Sequence, residues 1–204
     1  MIKTNAAIVL VAKRLEQLGF RTAKKGIYTL ELSPGALAWV GLNTAMRGGA
    51  VEINPVVGVR HQEIERLVAE LRGEQFNAIV PATIAANVGY LSQRNRYEAF
   101  IFDGSRPDAE VASDIVKCVS GPGLAFAKSN AAVSDLASTL KTSGLGIPHQ
   151  NSYRLPVALL LADLKSEALE VIDEELGEIG SRADEAALRY VAFAKKFKAR
   201  ATDE

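Results

Sequence analysis

The residues of this chain that could perform chemistry are few and far apart. His61 and His149 are its two histidines, and Cys118 is its one cysteine. A nucleophile needs a histidine or carboxylate placed to take its proton. We predict His61 at the start of a helix, where its imidazole would cap free backbone amides, and His149 in a surface loop. No third ligand follows at zinc spacing, so we expect no metal site, no cofactor and no catalytic set.

Cys118 and the glycines after it are better explained by folding than by chemistry. Cys118 follows Val111 by seven residues, on the apolar side of a predicted helix, and we expect it to be a buried filler. Gly121-Pro122-Gly123 lacks the Gly-Lys-Ser/Thr ending of a phosphate loop and follows a helix where such a loop follows a strand. We therefore predict that it breaks the helix.

Two aspartates keep an alternative open. Asp103 is predicted to end a strand and Asp108 follows shortly after, and carboxylates at strand ends often hold magnesium. A turn role and a capping role explain both residues more simply. With His61, they are the polar groups on which the alternative function would depend, an enzyme acting on a small phosphorylated or nucleotide ligand.

The overall charge gives no preference for a charged partner. Lys plus Arg and Asp plus Glu both total 24, so the net charge is zero, and we expect no nucleic-acid partner. The apolar run at residues 6–12 is much shorter than a membrane span of about 20 residues, so no membrane association is expected. A single cysteine suits a reducing compartment, and the cytoplasm is the expected location.

The first half of the chain reads mainly as strands. The spacing of apolar residues predicts a helix over 5–18, strands near 27–32, 37–43 and 51–59, and a helix that His61 opens and Gly73 ends. Two more strands are predicted over 78–85 and 97–103. The short connections favour an antiparallel sheet.

The second half reads as helices. Ser105 and Asp108 have the spacing of a capping box before one helix, and Ser181 and Asp184 have it before the last. The stretch 143–151 reads as a loop, with an apolar helix after Pro156. We predict an α+β fold with an antiparallel sheet of five to six strands packed with helices and a helical C-terminal half. It would form one domain over 1–204, sheet-rich over 1–104 and helical over 105–204.

One face of the predicted sheet offers an interaction surface. Trp39, the only tryptophan, alternates with Leu37 and Asn43, while Ala38, Val40 and Leu42 suffice for the inward face. Tryptophan and arginine are enriched in protein interfaces. We name as candidate partner-binding residues the following five: Trp39, Asn43, Arg47, Arg60 and His61. A helix of the same chain covering Trp39 would instead make that residue structural.

The opening layout resembles small bacterial domains of unknown function, some of them grouped with immunity or toxin-neutralising proteins. Leu18-Gly19-Phe20, the hairpin segment Trp39-Val40-Gly41-Leu42-Asn43 and Ile53-Asn54-Pro55 carry this resemblance over about the first 70 residues. It implies stoichiometric binding of a partner protein and brings no catalytic residues. The expected function is therefore a non-enzymatic protein-binding domain, of bacterial defence or immunity type, whose partner is another protein or a copy of itself.

Overall fold

The computed structural model describes residues 4–203 and confirms the predicted α+β fold. Its elements in chain order are α1 (Thr4–Gln17), β1 (Arg21–Lys24), β2 (Ile27–Ser33), β3 (Ala36–Arg47), β4 (Ala50–His61), α2 (Gln62–Arg72), β5 (Ile84–Asn87), β6 (Phe100–Phe102), α3 (Asp108–Cys118), a π-helical turn (Val119–Gly123), α4 (Leu124–Ser129), α5 (Val133–Thr142), α6 (Pro148–Leu161), α7 (Lys165–Ile179) and α8 (Glu185–Asp203).

The chain divides into two compact units. Unit 1 combines the chain up to Arg60 with Ile84–Ala131, and unit 2 combines His61–Thr83 with the chain from Ala132 onwards. The division does not follow the predicted change of character at residue 104. Helices α3 and α4 belong with the sheet, and α2 belongs with the later helices.

Unit 1 contains an antiparallel sheet of six strands in which β1, β2, β3 and β4 follow one another. Val56–Val59 of β4 pair with β5, and Val51–Ile53 of the same strand pair with β6. Because β3 is the neighbour of β4 on its other side, β5 and β6 lie one after the other along the same edge of β4. The last strand of the sheet is thus split into two short pieces.

Alternation along the strands creates the core of unit 1. Tyr28, Val40 and Ile53 are buried, and they pack with stripes from α1 and α3 that include Val11 and Ile115. The predicted inward positions of β3 are confirmed, because Ala38, Val40 and Leu42 are all buried. Helices α1, α3 and α4 therefore cover one face of the sheet.

Unit 2 is helical and has a polar pair in its interior. The side chains of Arg154 and Glu65 are only 6% and 8% exposed, and their two contacts measure 2.8 Å (Nε to Oε1) and 3.2 Å (Nη2 to Oε2). Tyr153, Tyr190 and Phe193 pack around one another with ring centroids 4.9–5.7 Å apart. Edge and tilted contacts of this kind add to the stabilisation from burial.

Two prolines behave differently from the prediction. Gly121-Pro122-Gly123 does not break the helix, because the chain continues through a π-helical turn into α4. Pro156 lies inside α6, which begins eight residues earlier at Pro148. Pro148 suits the first turn of α6, because the N–H that proline lacks would have no partner there in any case. The predicted loop over 143–151 therefore ends at Ile147.

Two other predicted features differ in the structure, the strand over 78–85 and the capping box at Ser105. Of the predicted strand at 78–85 only Ile84 and Ala85 are in β5, because Asn77 Oδ1 accepts the N–H groups of Ile79 and Val80 and holds that stretch in a turn. Pro107 rather than Ser105 is the N-cap of α3, and it makes no side-chain capping bond. The capping-box prediction at Ser105 is therefore wrong.

Candidate functional site

Unit 1 has a large groove on its surface. Its volume is about 1040 Å³, at the upper end of the range for ligand pockets. Three parts of the chain line it, namely the loop before β6, the strand β6 with the turn that follows it, and one side of α3 together with the π-helical turn. Its lining residues include Leu91, Arg94, Ile101, Asp114, Cys118 and Pro122.

Asn87 fixes the loop that forms one wall of the groove. Its Nδ2 donates to the carbonyl of Glu98 at 2.9 Å, and its Oδ1 accepts the N–H groups of Gly89 at 3.0 Å and Glu98 at 2.9 Å. These bonds join the two ends of the loop 88–98. Compact loops with closed ends often carry function, and this one is held by a buried side chain.

Gly89 is required at the base of the same loop. A Cβ at this position would lie 2.0 Å from the carbonyl oxygen of Arg96 and 2.9 Å from the backbone nitrogen of Glu98. Neither backbone atom can move away cheaply, so the two ends of the loop can approach this closely only at a glycine. Nothing in the hydrophobic pattern of the sequence indicates this role of Asn87 and Gly89.

Four of the charged side chains around the groove form two ion pairs. Arg94 Nη1 lies 3.3 Å from Glu98 Oε1, and Arg106 Nη2 lies 2.7 Å from Asp114 Oδ2. Hydrogen bonds from Arg106 and Lys117 lower the pKa of Asp114. The rim therefore carries two local ion pairs, each between an arginine and a carboxylate.

Asp103 has a structural role in the turn after β6. Its Oδ1 accepts hydrogen bonds from the backbone N–H of Ser105 at 2.9 Å and from the Ser105 hydroxyl at 2.6 Å. These bonds lower the pKa of the Asp103 carboxyl. Asp103 lines the groove but Asp108, in the first turn of α3, does not.

Cys118 lies in the apolar floor of the groove, which also includes Leu91, Val111 and Pro122. It is half-buried, and burial raises the pKa of its thiol, with a smaller contribution from Glu98 and Asp114. The sequence predicted a buried filler here, and the structure adds that Cys118 lines the groove. A thiol with a raised pKa is a poor nucleophile at neutral pH.

The five predicted partner-binding residues do not form one surface in the described structure. Trp39, Asn43 and Arg47 lie on one side of β3, separated by even numbers of residues. The ring of Trp39 covers Gly41, where a Cβ would lie only 2.6 Å from the indole Cη2. Arg60 is 1% exposed and His61 is also buried, and these two belong to different units.

Arg47 has a link to the groove that the sequence did not show. Its Nε lies 3.2 Å from Glu52 Oε2, and Glu52 is the cross-strand partner of Ile101. Ile101 is half-exposed and lines the groove. Arg47 is therefore linked, through Glu52, to a residue that lines the groove.

His61 does not cap its helix with its side chain. It is the N-cap residue of α2, but the structure gives it no side-chain capping bond, and its Nδ1 has no hydrogen-bond partner. Its backbone N–H donates to the Thr83 hydroxyl at 2.9 Å. Burial lowers the pKa of His61, and the nearby Glu63 and Glu65 oppose that effect.

Unit 2 has a smaller cavity of about 450 Å³ among the ends of its helices. Arg182 Nε lies 2.9 Å from Asp184 Oδ2, and Arg189 Nη2 lies 2.6 Å from Glu185 Oε1. The exposed His149, predicted in a loop, is in the first turn of α6 and lines this cavity. As in unit 1, most of the charged lining consists of local pairs.

Within residues 4–203 there is no group of three or more His, Cys, Asp and Glu side chains arranged to hold a metal ion. None of the helices described over the same range has the length and apolar character that a transmembrane span requires.

Comparison with protein-family models, with curated proteins and with solved structures gave no match for this chain. The resemblance to immunity-type domains therefore remains a prediction, and the groove of unit 1 is the structural basis for a functional proposal.

Proposed function

We propose that this chain is a non-enzymatic protein-binding protein and that the groove of unit 1 is the surface that receives its partner. The observation that carries this proposal is the combination of an apolar floor with a rim whose charges are already paired. Leu91, Val111 and Pro122 supply apolar surface, while Arg94 and Arg106 have carboxylate partners of their own.

Such a lining suits binding better than turnover. Catalytic sites bring together titratable groups whose pKa values are tuned for proton transfer. In the groove the shifted carboxyls, Asp103 and Asp114, have their pKa lowered by bonds to neighbouring side chains, which keeps them ionised and occupied. A stoichiometric role of the immunity type needs only a binding surface of this kind.

Selection from a library of random linear peptides displayed on phage, with the full chain as bait, tests the proposal. Selected peptides are then titrated against the wild-type protein and against Ile101→Arg and Val9→Arg. Ile101 and Val9 are 51% and 53% exposed, so the two substitutions are matched in size, charge and exposure. Of these two residues, only Ile101 lines the groove.

We expect Ile101→Arg to weaken peptide binding about tenfold or more and Val9→Arg to leave it unchanged. Bound peptide should also slow alkylation of Cys118, which lies in the floor. If Ile101→Arg fails to fold, Gln93→Trp, at an exposed position in the groove wall, replaces it. Failure to select any binding peptide, or equal binding by the groove variants, would contradict the proposal.

A further inference from the structure

The strand β6 has one paired edge and one edge that lines the groove. Phe100–Phe102 pair with Val51–Ile53 of β4, and no second strand pairs with β6 in the described part of the chain. Backbone groups on the outer edge of a strand are a template for a further strand. Ala99, Phe100 and Ile101 contribute to the groove lining, so β6 borders the groove.

The opposite edge of the sheet is protected in ways that β6 is not. β1 is exposed, carries Arg21 and Lys24, and has a register shift between Thr22 and Lys24. Charges and bulges of this kind discourage pairing with another chain. β6 is Phe-Ile-Phe, with no charge and an unbroken register to β4.

The groove walls restrict what can reach the β6 edge. The clamped loop 88–98 stands on one side, and Arg106 and Asp114 with the rest of the α3 side stand on the other. A second copy of this chain would present the same edge from inside its own groove, so the two edges could not meet. A single extended segment is narrow enough to enter, because neighbouring strands lie only about 4.8 Å apart.

The side chains of β6 predict the pattern of the segment that fits. Phe100 and Phe102 are buried, whereas Ile101 points to the other face and is half-exposed. In an added strand, residues beside the two phenylalanines would face the apolar surface that includes Val111, Cys118 and Pro122. Residues beside Ile101 would lie next to its side chain on the half-exposed face, so apolar side chains are required mainly at every second position.

We propose that the groove binds an extended segment of another protein by β-strand addition to the free edge of β6. The segment carries apolar residues at alternate positions and needs no net charge, because Arg94 and Arg106 already have carboxylate partners and Asp103 accepts hydrogen bonds from Ser105. Main-chain hydrogen bonds to β6 supply affinity, and the apolar floor supplies selectivity. This inference rests on the proposed function and names the conformation and chemistry of the partner.

An N-methyl scan of a selected peptide tests strand addition. In an extended peptide paired on one edge, alternate N–H groups point to the protein and the others point away. N-methylation should therefore weaken binding about three- to tenfold at every second residue of the paired segment and leave the residues between them nearly unaffected. Hydrogen exchange at β6 amides should slow when the unmodified peptide binds.

The possible outcomes separate this inference from the function on which it rests. A helical pattern of losses, or no loss at any position in a peptide that still requires Ile101, would overturn strand addition and leave peptide binding in place. The absence of any binding peptide would overturn the proposed function first. Weaker binding at every second N-methylated residue, together with slower hydrogen exchange at the β6 amides, supports both strand addition and the proposed function.

Discussion

The two units of this protein offer different kinds of surface to a ligand. Unit 2 is built from helices, whose backbone groups bond within each helix except at the ends, and its cavity is lined by side chains such as Tyr190 and Glu175. Unit 1 contains a sheet, and a sheet that does not close leaves backbone groups at its edge. The proposed binding along β6 therefore uses a strand edge, a feature that the helices described in unit 2 do not have.

The interiors differ as well. Apolar residues such as Val40 and Ile53 form the main cluster of unit 1, which also buries Arg60, whereas unit 2 buries the ion pair of Arg154 and Glu65. A buried pair satisfies its own charges but strongly penalises the loss of either partner. The comparison predicts that single substitutions have their largest effect in unit 2 and that variants of the groove loop have intermediate effects.

Arg154→Ala should have the largest effect. It leaves the Glu65 carboxylate buried without its bidentate partner and also removes the bond to Gln150, so the free energy of unfolding should fall by about 3–5 kcal/mol. Urea unfolding followed by circular dichroism at 222 nm measures this. The control is Lys141→Ala, which removes an exposed ion pair with Glu167 and should leave the free energy of unfolding nearly unchanged.

The same experiment tests whether the chain is one cooperative domain. Trp39 is the only tryptophan and lies in unit 1, so its fluorescence reports that unit while the helical signal is weighted towards unit 2. Residues 61–83 of unit 2 are inserted between β4 and β5, so we expect both signals to shift together in Arg154→Ala. A shift of the helical transition alone would contradict the single-domain prediction.

Asn87→Ala should have an intermediate effect. The substitution removes three hydrogen bonds that join the ends of the loop 88–98, at a cost of about 2–3 kcal/mol. The loop amides should then exchange faster, and selected peptides should bind more weakly. Asn87→Asp keeps an acceptor for the N–H groups of Gly89 and Glu98 but sets a carboxylate oxygen against the Glu98 carbonyl, so it should also lose stability and tests the donor alone. Unchanged stability in Asn87→Ala would show that the clamp does not hold the loop.

The pH dependence of His61 should be the smallest effect. Burial lowers the pKa of His61 in the folded chain below its ordinary value of 6.5, so the unfolded chain binds the proton more readily. The stability contribution is therefore complete above pH 6.5 and is lost as the pH falls below it. Urea midpoints between pH 7 and 5 should decline less in His61→Gln than in the wild type.

His149 provides the control for this measurement because it is exposed. His149→Gln should retain the wild-type decline in urea midpoint. An equal decline in wild type and His61→Gln would show that other groups, such as carboxylates that titrate in the same acid range, account for the whole pH dependence.

Local patterns in the sequence determined most of the helices and strands. The stripe of Ile64, Leu67 and Leu71 placed α2, and Gly73 ended it with a positive φ of 69°. Alternation in β3 correctly separated the buried Val40 from the half-buried Trp39. These features depend on residues a few positions apart, so a hydrophobic period is enough to predict them.

Only the tertiary structure decided where the candidate site lies. Asn87 and Glu98 are eleven residues apart, and Arg154 and Glu65 are 89 apart, so no local period indicates either contact. The free edge of β6 depends on β5 and β6 sharing one side of β4. The sequence by itself determined most of the segments that become strands, but which strand edge stays unpaired depends on contacts between distant segments, and those form only in the folded chain.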